Sequence, residues 1–313
     1  MKSEKLRGFI DLQVNGYKGV DFSSPDLNED SFLFACREIE KKGTQAFLPT
    51  IITSDLKVYE KNLKLMAKVM GNKRFTKLLP GIHLEGPFIS SREGYRGSHP
   101  AQYIKEPSIE LFKKMIKWSE NKIKMITLAA EVSGAEKLCK FAVQQNIIVS
   151  LGHQRANEKE MNKLTAAGAK ALTHLGNGLP HLIHRHQNSI WAGLANDQLT
   201  AMIITDGCHL PVSLIKTIIK VKGIKNTILV SDVSPFGGMK PGIYNLWGMD
   251  IILKKNGFLF NPQTGFLAGS SSTMQEEVGF LLKEKILNPE EINQIAFYNP
   301  LRMIGLSTLT YKK

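Results

Sequence analysis

Four polar residues in this sequence directly follow short, apolar, β-rich segments. They are Glu85 in GIHLEGP, His153 in VSLGH, His174 in ALTHLGN and Asp232 in ILVSD. One carboxylate with two imidazoles is typical of a metal site that keeps a position open for water, and a second carboxylate is suited to general acid/base chemistry. Alone, a histidine at a strand end is more often structural, and Asp232 could simply cap the next segment. Four such strand ends favour one shared site, because buried polar groups are costly unless used.

These strand-like segments alternate with amphipathic helical segments along most of the chain. The helical segments include 31–42, 56–70 and 135–145. The strands predicted are 8–14, 46–52, 78–84, 124–130, 147–151, 171–175, 200–205 and 227–231. Repeated βα units predict an α/β fold, and eight of them predict a closed (β/α)8 TIM barrel. The four polar residues would then converge at the carboxyl ends of the strands, where such barrels build their active sites.

The alternation changes after the eighth strand. Residues 242–266 have alternating apolar residues, an Asn-Gly turn signal at Asn256-Gly257 and no helical period, which predicts a small β insertion. We therefore divide the chain into barrel strands and helices (1–241), the insertion (242–266) and C-terminal helices that complete the barrel (267–313).

Composition excludes several functional classes. The net charge of +13 is spread over lysine-rich helical faces, which favours a solvated surface with no nucleic acid partner and leaves room for a local phosphate pocket. Three widely spaced cysteines predict free thiols rather than disulfides. No apolar run approaches the roughly 20 residues that span a bilayer, and the first residues do not resemble a signal peptide. We expect a cytoplasmic protein with no membrane partner.

Several motifs occur in a fixed order along nearly the whole chain. They are GFIDLQVNG (8–16), GTQAFLPT (43–50), HLEGPF (83–88), LGH (151–153), THLGNGLP (173–180), His184-Arg185, DGCHL (206–210), LVSD (229–232), LAGSSSTM (267–274) and NPLRMIGL (299–306). In order and spacing they resemble the N-acetylglucosamine-6-phosphate deacetylases of the amidohydrolase superfamily. The resemblance implies that the predicted TIM barrel is of the metal-dependent hydrolase type.

The resemblance implies that Glu85, His153 and His174 hold a divalent metal ion and that Asp232 is the general acid/base. The ion would lower the pKa of its water toward about 7 and polarise the acetamide carbonyl. Asp232 would take the proton of this water and return it to the departing amine. His209 would act as a second catalytic residue, near the carbonyl or the sugar hydroxyls, by stabilising developing charge. The implied reaction converts N-acetylglucosamine 6-phosphate into glucosamine 6-phosphate and acetate.

The resemblance also implies a set of substrate contacts. His99, Asn177, Gly178 and His209 would bind the amino sugar phosphate, and Arg185 would reach the phosphate across the interface of a homodimer. A guanidinium grips phosphate through charge-assisted, bidentate hydrogen bonds. The run His181, His184 and His186 has spacing that would suit another metal, but with no carboxylate close in sequence we interpret it as a substrate loop or a neutral surface cluster.

The sequence departs from its relatives at the end of the first strand. Many amidohydrolases carry His-x-His there, whereas this chain has Gln13 and Asn15, and neutral amides are poor ligands for transition metals. We therefore predict one divalent ion, first of all zinc, with iron, manganese or cobalt as alternatives. The family usually has further residues before this strand that complete a β-sandwich with the later insertion, so we expect a residual half-sheet here.

Two other functions remain open at this point. The substrate could be N-acetylgalactosamine 6-phosphate or another amide, since the loops after Arg185 and Asp232 depart from the family pattern and specificity resides in such loops. Alternatively, the chain could be a noncatalytic sugar-phosphate-binding relative. The complete set of Glu85, His153, His174 and Asp232 argues against this last interpretation.

Overall fold

Eight parallel strands follow one another in chain order in a single sheet. This computed structural model describes residues 5–246 and 249–311. The strands are β1 (Phe9–Val14), β2 (Thr44–Ile52), β3 (Ile82–Glu85), β4 (Ile123–Leu128), β5 (Ile148–Leu151), β6 (Ala171–Leu172), β7 (Thr200–Ile203) and β8 (Thr227–Leu229). All eight predicted strands are present, and β4, β6, β7 and β8 end two or three residues before their predicted last residues.

The residues after β8 close the sheet on itself. Val233 pairs with Val14 as a parallel bridge, the Asp232 N–H donates to the Gln13 carbonyl at 3.0 Å, and the Asn15 N–H donates to the Val233 carbonyl at 2.8 Å. The end of β1 is thereby joined to the segment that carries Asp232. The predicted (β/α)8 barrel is confirmed.

Helices lie outside the strands and connect them. They are α1 (Glu29–Lys41), α2 (Leu56–Met70), α3 (Ile109–Trp118), α4 (Ala135–Gln144), α5 (Glu158–Ala166), α6 (Ser189–Ala195) and α7 (Val212–Lys222). Helix α2 has the predicted bounds and begins after Asp55, whose carboxylate accepts the Lys57 N–H. Helix α1 starts two residues before the predicted Ser31, because Asn28 and Ser31 form a capping box.

The C-terminal segment covers the amino end of the barrel. It contains α8 (Met274–Lys283), α9 (Pro289–Asn293), a π-helical turn (Gln294–Tyr298) and α10 (Asn299–Met303). Its buried side chains Phe297, Leu301, Ile304 and Tyr311, which we call the barrel plug, pack against inward-facing strand residues such as Ile10. Helix α8 instead packs in the apolar layer outside the strands. The C-terminal helices therefore close the base of the barrel as well as covering its outside.

The predicted β insertion forms a small antiparallel sheet. Its strands are β9 (Gly242–Leu246), β10 (Met249–Leu253) and β11 (Leu259–Phe260). One face buries Ile251, Leu253 and Leu259 against Phe236 and Ala268. Trp247 and Gly248 of the insertion, and residues 1–4 and 312–313 of the flanking segments, lie outside the described residues. None of the described helices is long and apolar enough to cross a membrane.

Candidate active site

The predicted metal ligands meet at the carboxyl ends of their strands. Glu85 ends β3, while His153 and His174 each follow a strand by two residues. The Oε1 atom of Glu85 lies 3.1 Å from His153 Nε2 and 2.9 Å from His174 Nε2, and the two imidazole nitrogens are 3.0 Å apart. The structure thus brings three potential ligand atoms from β3, β5 and β6 into mutual contact.

Asp232 is held beside this cluster by the amide of Gln13. The Gln13 Nε2 atom donates to Glu85 Oε1 at 3.0 Å and to Asp232 Oδ1 at 2.8 Å. Asn15 Nδ2 donates to the same Oδ1 at 2.6 Å. The proposed acid/base is therefore linked to a proposed metal ligand through one buried amide.

The backbone is strained where three of these side chains leave their strands. His153, His174 and Asp232 have φ angles of 48°, 32° and 49°, in the left-handed region that non-glycine residues rarely adopt. Such residues cost about 1–3 kcal/mol each and occur mostly at functional sites, where the surrounding structure holds them. Here the strain turns the side chains inward above the sheet.

The hydrogen bonding of His153 suits a metal ligand. Its Nδ1 lies 3.0 Å from the Tyr95 carbonyl, which can only accept, so Nδ1 carries the proton and a neutral ring directs its Nε2 lone pair toward Glu85 and His174. Without an ion, two imidazole nitrogens and a carboxylate oxygen would crowd together with at most one or two protons to share. A divalent cation would be a common partner for all three atoms, because carboxylate oxygens and imidazole nitrogens are typical ligands of such ions.

His99 has the opposite tautomer and therefore a different role. Its Nδ1 accepts the Thr53 N–H at 3.3 Å, so a neutral ring carries its proton on Nε2, which lies 3.9 Å from Glu85 Oε2. Glu85, His99 and His153 also form a possible ligand group by distance alone, with their ligand atoms within 4.8 Å of one another. With its proton on Nε2, His99 offers a hydrogen-bond donor to the cavity rather than a lone pair.

His209 is oriented by a neighbouring carboxylate. Its Nδ1 donates to Asp206 Oδ2 at 2.8 Å, while Asp206 Oδ1 accepts the backbone N–H groups of Cys208 and His209. Burial alone would raise the pKa of Asp206, but these hydrogen bonds from His209 hold it below its usual value. The ionised Asp206 thus fixes the orientation of the His209 ring, including its other nitrogen.

Burial and neighbouring charges separate the two carboxyl groups of the centre. Burial and the negative charge of Glu85 raise the pKa of Asp232 to about 6. Burial would also raise the pKa of Glu85, but the neighbouring imidazoles of His153 and His174 hold it well below its usual range. Glu85 is therefore ionised and able to bind a cation, whereas Asp232 can exchange a proton close to neutral pH.

A cavity of about 490 Å³ opens above these residues and contains the predicted sugar contacts. His99, Asn177, Gly178 and His209 all line it, together with the proposed ligands and Asp232. Gly178 has φ +64°, and a Cβ there would lie 3.0 Å from the His153 ring, so a side chain would displace a proposed ligand. The Nδ2 atom of Asn177 is buried without a partner among the described residues.

Arg185 lies apart from the other predicted contacts. It is exposed on the loop after β6 and is not among the residues that line the cavity of its own chain. In the same loop, His181 stacks on Phe266, and His184 Nδ1 accepts the Gln187 N–H at 2.9 Å. The described residues contain no metal-ligand group built from these loop histidines.

The chain is similar to known proteins over nearly its whole length. The chain is 30% identical over 310 residues to the N-acetylglucosamine-6-phosphate deacetylase of Bos taurus, covering 96% of this chain and 74% of the relative. It is 31% identical over 302 residues to the N-acetylgalactosamine-6-phosphate deacetylase of Shewanella sp. (strain ANA-3), with 96% and 74% covered. The chain belongs to the N-acetylglucosamine-6-phosphate deacetylase family. No family model matches the chain.

A solved structure agrees with this assignment. N-acetylglucosamine-6-phosphate deacetylase from Pasteurella multocida is 30% identical, superposes with a TM-score of 0.86, and is matched over 97% of this chain and 78% of its own. The predicted metal-dependent amidohydrolase fold is therefore confirmed. The chain spans about three quarters of the length of the relatives compared.

Some contacts in the site of this deacetylase family member are not evident from the sequence. From the sequence, Gln13 and Asn15 are recognisable only as poor metal ligands, yet their amides hold Asp232. Asp206, which orients His209, has no role that its motif alone indicates. The sequence contains a pattern that indicates a shared contact for the two amides. Two polar residues spaced i, i+2 at the end of an apolar strand point to the same face.

Proposed function

We propose that this chain removes the acetyl group of N-acetylglucosamine 6-phosphate by hydrolysis, giving glucosamine 6-phosphate and acetate. The observation that carries the proposal is the contact among Glu85, His153 and His174, with Asp232 fixed beside them in one cavity. The names and substrates of the relatives support the same reaction.

Glu85, His153 and His174 would hold one divalent ion, for which we propose zinc, with iron, manganese or cobalt as alternatives. Carboxylate and imidazole ligands suit all of these ions, so the ligand set alone does not select among them. When bound, the ion supplies Lewis-acid polarisation and lowers the pKa of water. The amides of Gln13 and Asn15 support a single ion. Ligands of a second ion at these positions would have to offer it lone pairs, whereas both amides direct N–H groups toward Asp232.

Asp232 would perform both proton transfers. Its carboxylate accepts a proton from the attacking water as the carbon–oxygen bond forms, and the same proton then passes to the amide nitrogen as the carbon–nitrogen bond breaks. A pKa raised to about 6 leaves Asp232 ionised at neutral pH yet basic enough for this exchange. The Nε2–H of His99 and the oriented ring of His209 would position the acetamide and sugar.

A homodimer would complete the phosphate site. Arg185 lies outside its own cavity. Its loop carries Leu182, which is 91% exposed, and the following helix α6 carries Trp191, which is 53% exposed. Exposed apolar and aromatic residues around an arginine suit a protein interface. In this arrangement Asn177 and Gly178 contact the substrate from one protomer and Arg185 contacts the phosphate from the other. A sugar phosphate substrate also supports the predicted cytoplasmic location.

N-acetylgalactosamine 6-phosphate is a second candidate substrate, because relatives of similar identity act on it by name. Purified protein should be stripped with a chelator and assayed for free amine, with Zn²⁺, Mn²⁺, Fe²⁺ or Co²⁺ restored singly. Both N-acetylhexosamine 6-phosphates and unphosphorylated N-acetylglucosamine should be tested as substrates in this assay. We expect turnover that requires the metal and the phosphate. Stoichiometric metal binding without turnover of either phosphate would contradict the proposal.

The role of Arg185 has a separate test. Arg185→Ala should raise KM for the phosphorylated substrate about 10- to 100-fold with little change in kcat, because a charged hydrogen bond to phosphate is lost. If Arg185 acts across the interface, mixing this variant with inactive Asp232→Asn should restore low KM in part of the sites. A fall in kcat alone, or no restoration in mixed dimers, would contradict the assignment.

A further inference from the structure

The two amides at the end of β1 contact the same oxygen of Asp232. Gln13 Nε2 and Asn15 Nδ2 lie 2.8 and 2.6 Å from Oδ1. Among residues 5–246 and 249–311, none donates a hydrogen bond to Oδ2, although Asp232 lines the cavity. The carboxylate is therefore asymmetric, with one oxygen occupied by two donors and the other open to the substrate space.

The direction of both amides follows from their neighbours. Gln13 Nε2 lies between oxygens of Glu85 and Asp232, and Asn15 Nδ2 lies between Oδ1 and the backbone carbonyl of Asp232, at 2.6 and 3.5 Å. These oxygens accept hydrogen bonds when the carboxylates are ionised, so a flipped amide would place oxygen against oxygen. Both amides must direct N–H groups toward Asp232.

We propose that Gln13 and Asn15 are positioning residues that occupy Oδ1 of Asp232 and leave Oδ2 as the oxygen that accepts and returns the proton. The inference rests on the proposed deacetylase reaction. Two charge-assisted hydrogen bonds hold Oδ1 and make it the weaker base. The proton taken from water at Oδ2 is the one delivered to the amide nitrogen, so the carboxylate need not rotate between bond formation and bond cleavage.

The backbone supports the same positions. The Asp232 N–H donates to the Gln13 carbonyl, and the Asn15 N–H donates to the Val233 carbonyl. Each amide side chain and its own backbone therefore contact the strained turn that carries Asp232. This double attachment keeps a residue with φ +49° in one orientation.

The roles of Asn15 and Gln13 can be separated by experiment, because the side-chain amide of Asn15 donates only to Asp232, whereas that of Gln13 also donates to Glu85. Asn15→Leu and Gln13→Met keep approximate volume without an N–H donor. We expect each to lower kcat about 10- to 100-fold, to leave KM within about twofold, and to increase the solvent isotope effect on kcat as proton transfer becomes slower. Metal content should remain one per chain in Asn15→Leu and fall only in Gln13→Met.

Asn62→Leu is the matched control. The buried Asn62 amide donates to the backbone carbonyls of Phe22 and Ser24, away from the cavity, so its loss should lower Tm without changing kcat or the isotope effect. Unchanged kcat and isotope effect in both Asn15→Leu and Gln13→Met, with wild-type turnover intact, would overturn the positioning role alone. Absence of wild-type turnover would instead contradict the proposed function.

Discussion

At the carboxyl end of the barrel, buried ionisable side chains lie in contact with one another, whereas the amino end is closed by the apolar barrel plug. This carboxyl, or upper, end contains the buried Glu85, together with His153, His174 and Asp232 on strained backbone. The lower end buries Phe297, Leu301 and Ile304 against inward-facing strand residues. Both ends belong to the same eight strands, so the difference comes from the residues that follow the strands at the upper end and from the C-terminal segment at the lower end.

This contrast indicates that the upper end holds the reactive groups, whereas the lower end contributes to the stability of the fold. Buried charges and positive φ angles cost free energy, so the upper end should reduce the stability of the barrel. Apolar burial at the lower end offsets this cost, because it contributes roughly 25 cal/mol for each Å² removed from water. Substitutions at the two ends should therefore affect different measurements.

The largest expected effect is at the upper end. Asp232→Asn keeps the size of the side chain but cannot accept the proton, so kcat should fall about 10³-fold. One metal per chain should remain bound, because Glu85, His153 and His174 are unchanged. Kinetics of amine release and metal analysis measure both, with exposed Asp30→Asn as the control. Loss of the metal together with activity would show that Asp232 is a ligand instead.

A substitution in the plug should have the converse effect. Phe297→Ala removes a buried ring from the lower end and should reduce the free energy of unfolding by about 3–5 kcal/mol. At a temperature where the variant stays folded, kcat should be within about twofold of wild type. Denaturant unfolding and the amine assay decide this, with Phe297→Leu expected to be intermediate in stability. A large fall in kcat without loss of stability would break the proposed separation of the two ends.

The two ends also differ in how well the sequence predicts them. Strands such as β1 and β2 were predicted from apolar runs, because burial on both faces leaves a continuous hydrophobic segment. The location of Glu85 and Asp232 followed from strand ends, since all parallel strands in a barrel finish at one edge. The alternation of residue types therefore predicts most of the fold and the convergence of the proposed site residues.

Other contacts depend on distances that periodicity does not encode. The tautomers of His99 and His153 are determined by Thr53 and Tyr95, which come from loops with no regular pattern. The packing of Phe297 inside the barrel base, rather than only outside it, depends on a π-helical turn. Long-range pairs of this kind, including Gln13 with Asp232, could not be derived from local sequence.

A smaller effect on activity is expected from the dyad of His209 and Asp206. His209→Gln should lower kcat about 100-fold if the ring stabilises charge in the transition state. Asp206→Asn should lower kcat about 10-fold, because the ring remains but loses its ionised partner. Single-turnover kinetics would separate this chemical effect from substrate binding. If Asp206→Asn were the more damaging substitution, Asp206 would have to act on the substrate or support the loop itself.

The smallest effect on activity is expected at Asp11, which lies in β1 between the two ends and should affect stability instead. Burial raises the pKa of Asp11 from its usual 3.8 to about 7, although hydrogen bonds from Ser231 oppose this shift. The folded chain therefore binds this proton more tightly than the unfolded chain, and Asp11 should reduce stability progressively as pH rises from about 4 to about 7. Asp11→Asn removes this titration, so the stability of the variant relative to wild type should increase over that interval. Denaturant unfolding at a series of pH values measures the difference, with Asp30→Asn as the control. A difference that does not change with pH would mean that Asp11 is ionised throughout, stabilised by Ser231 despite its burial.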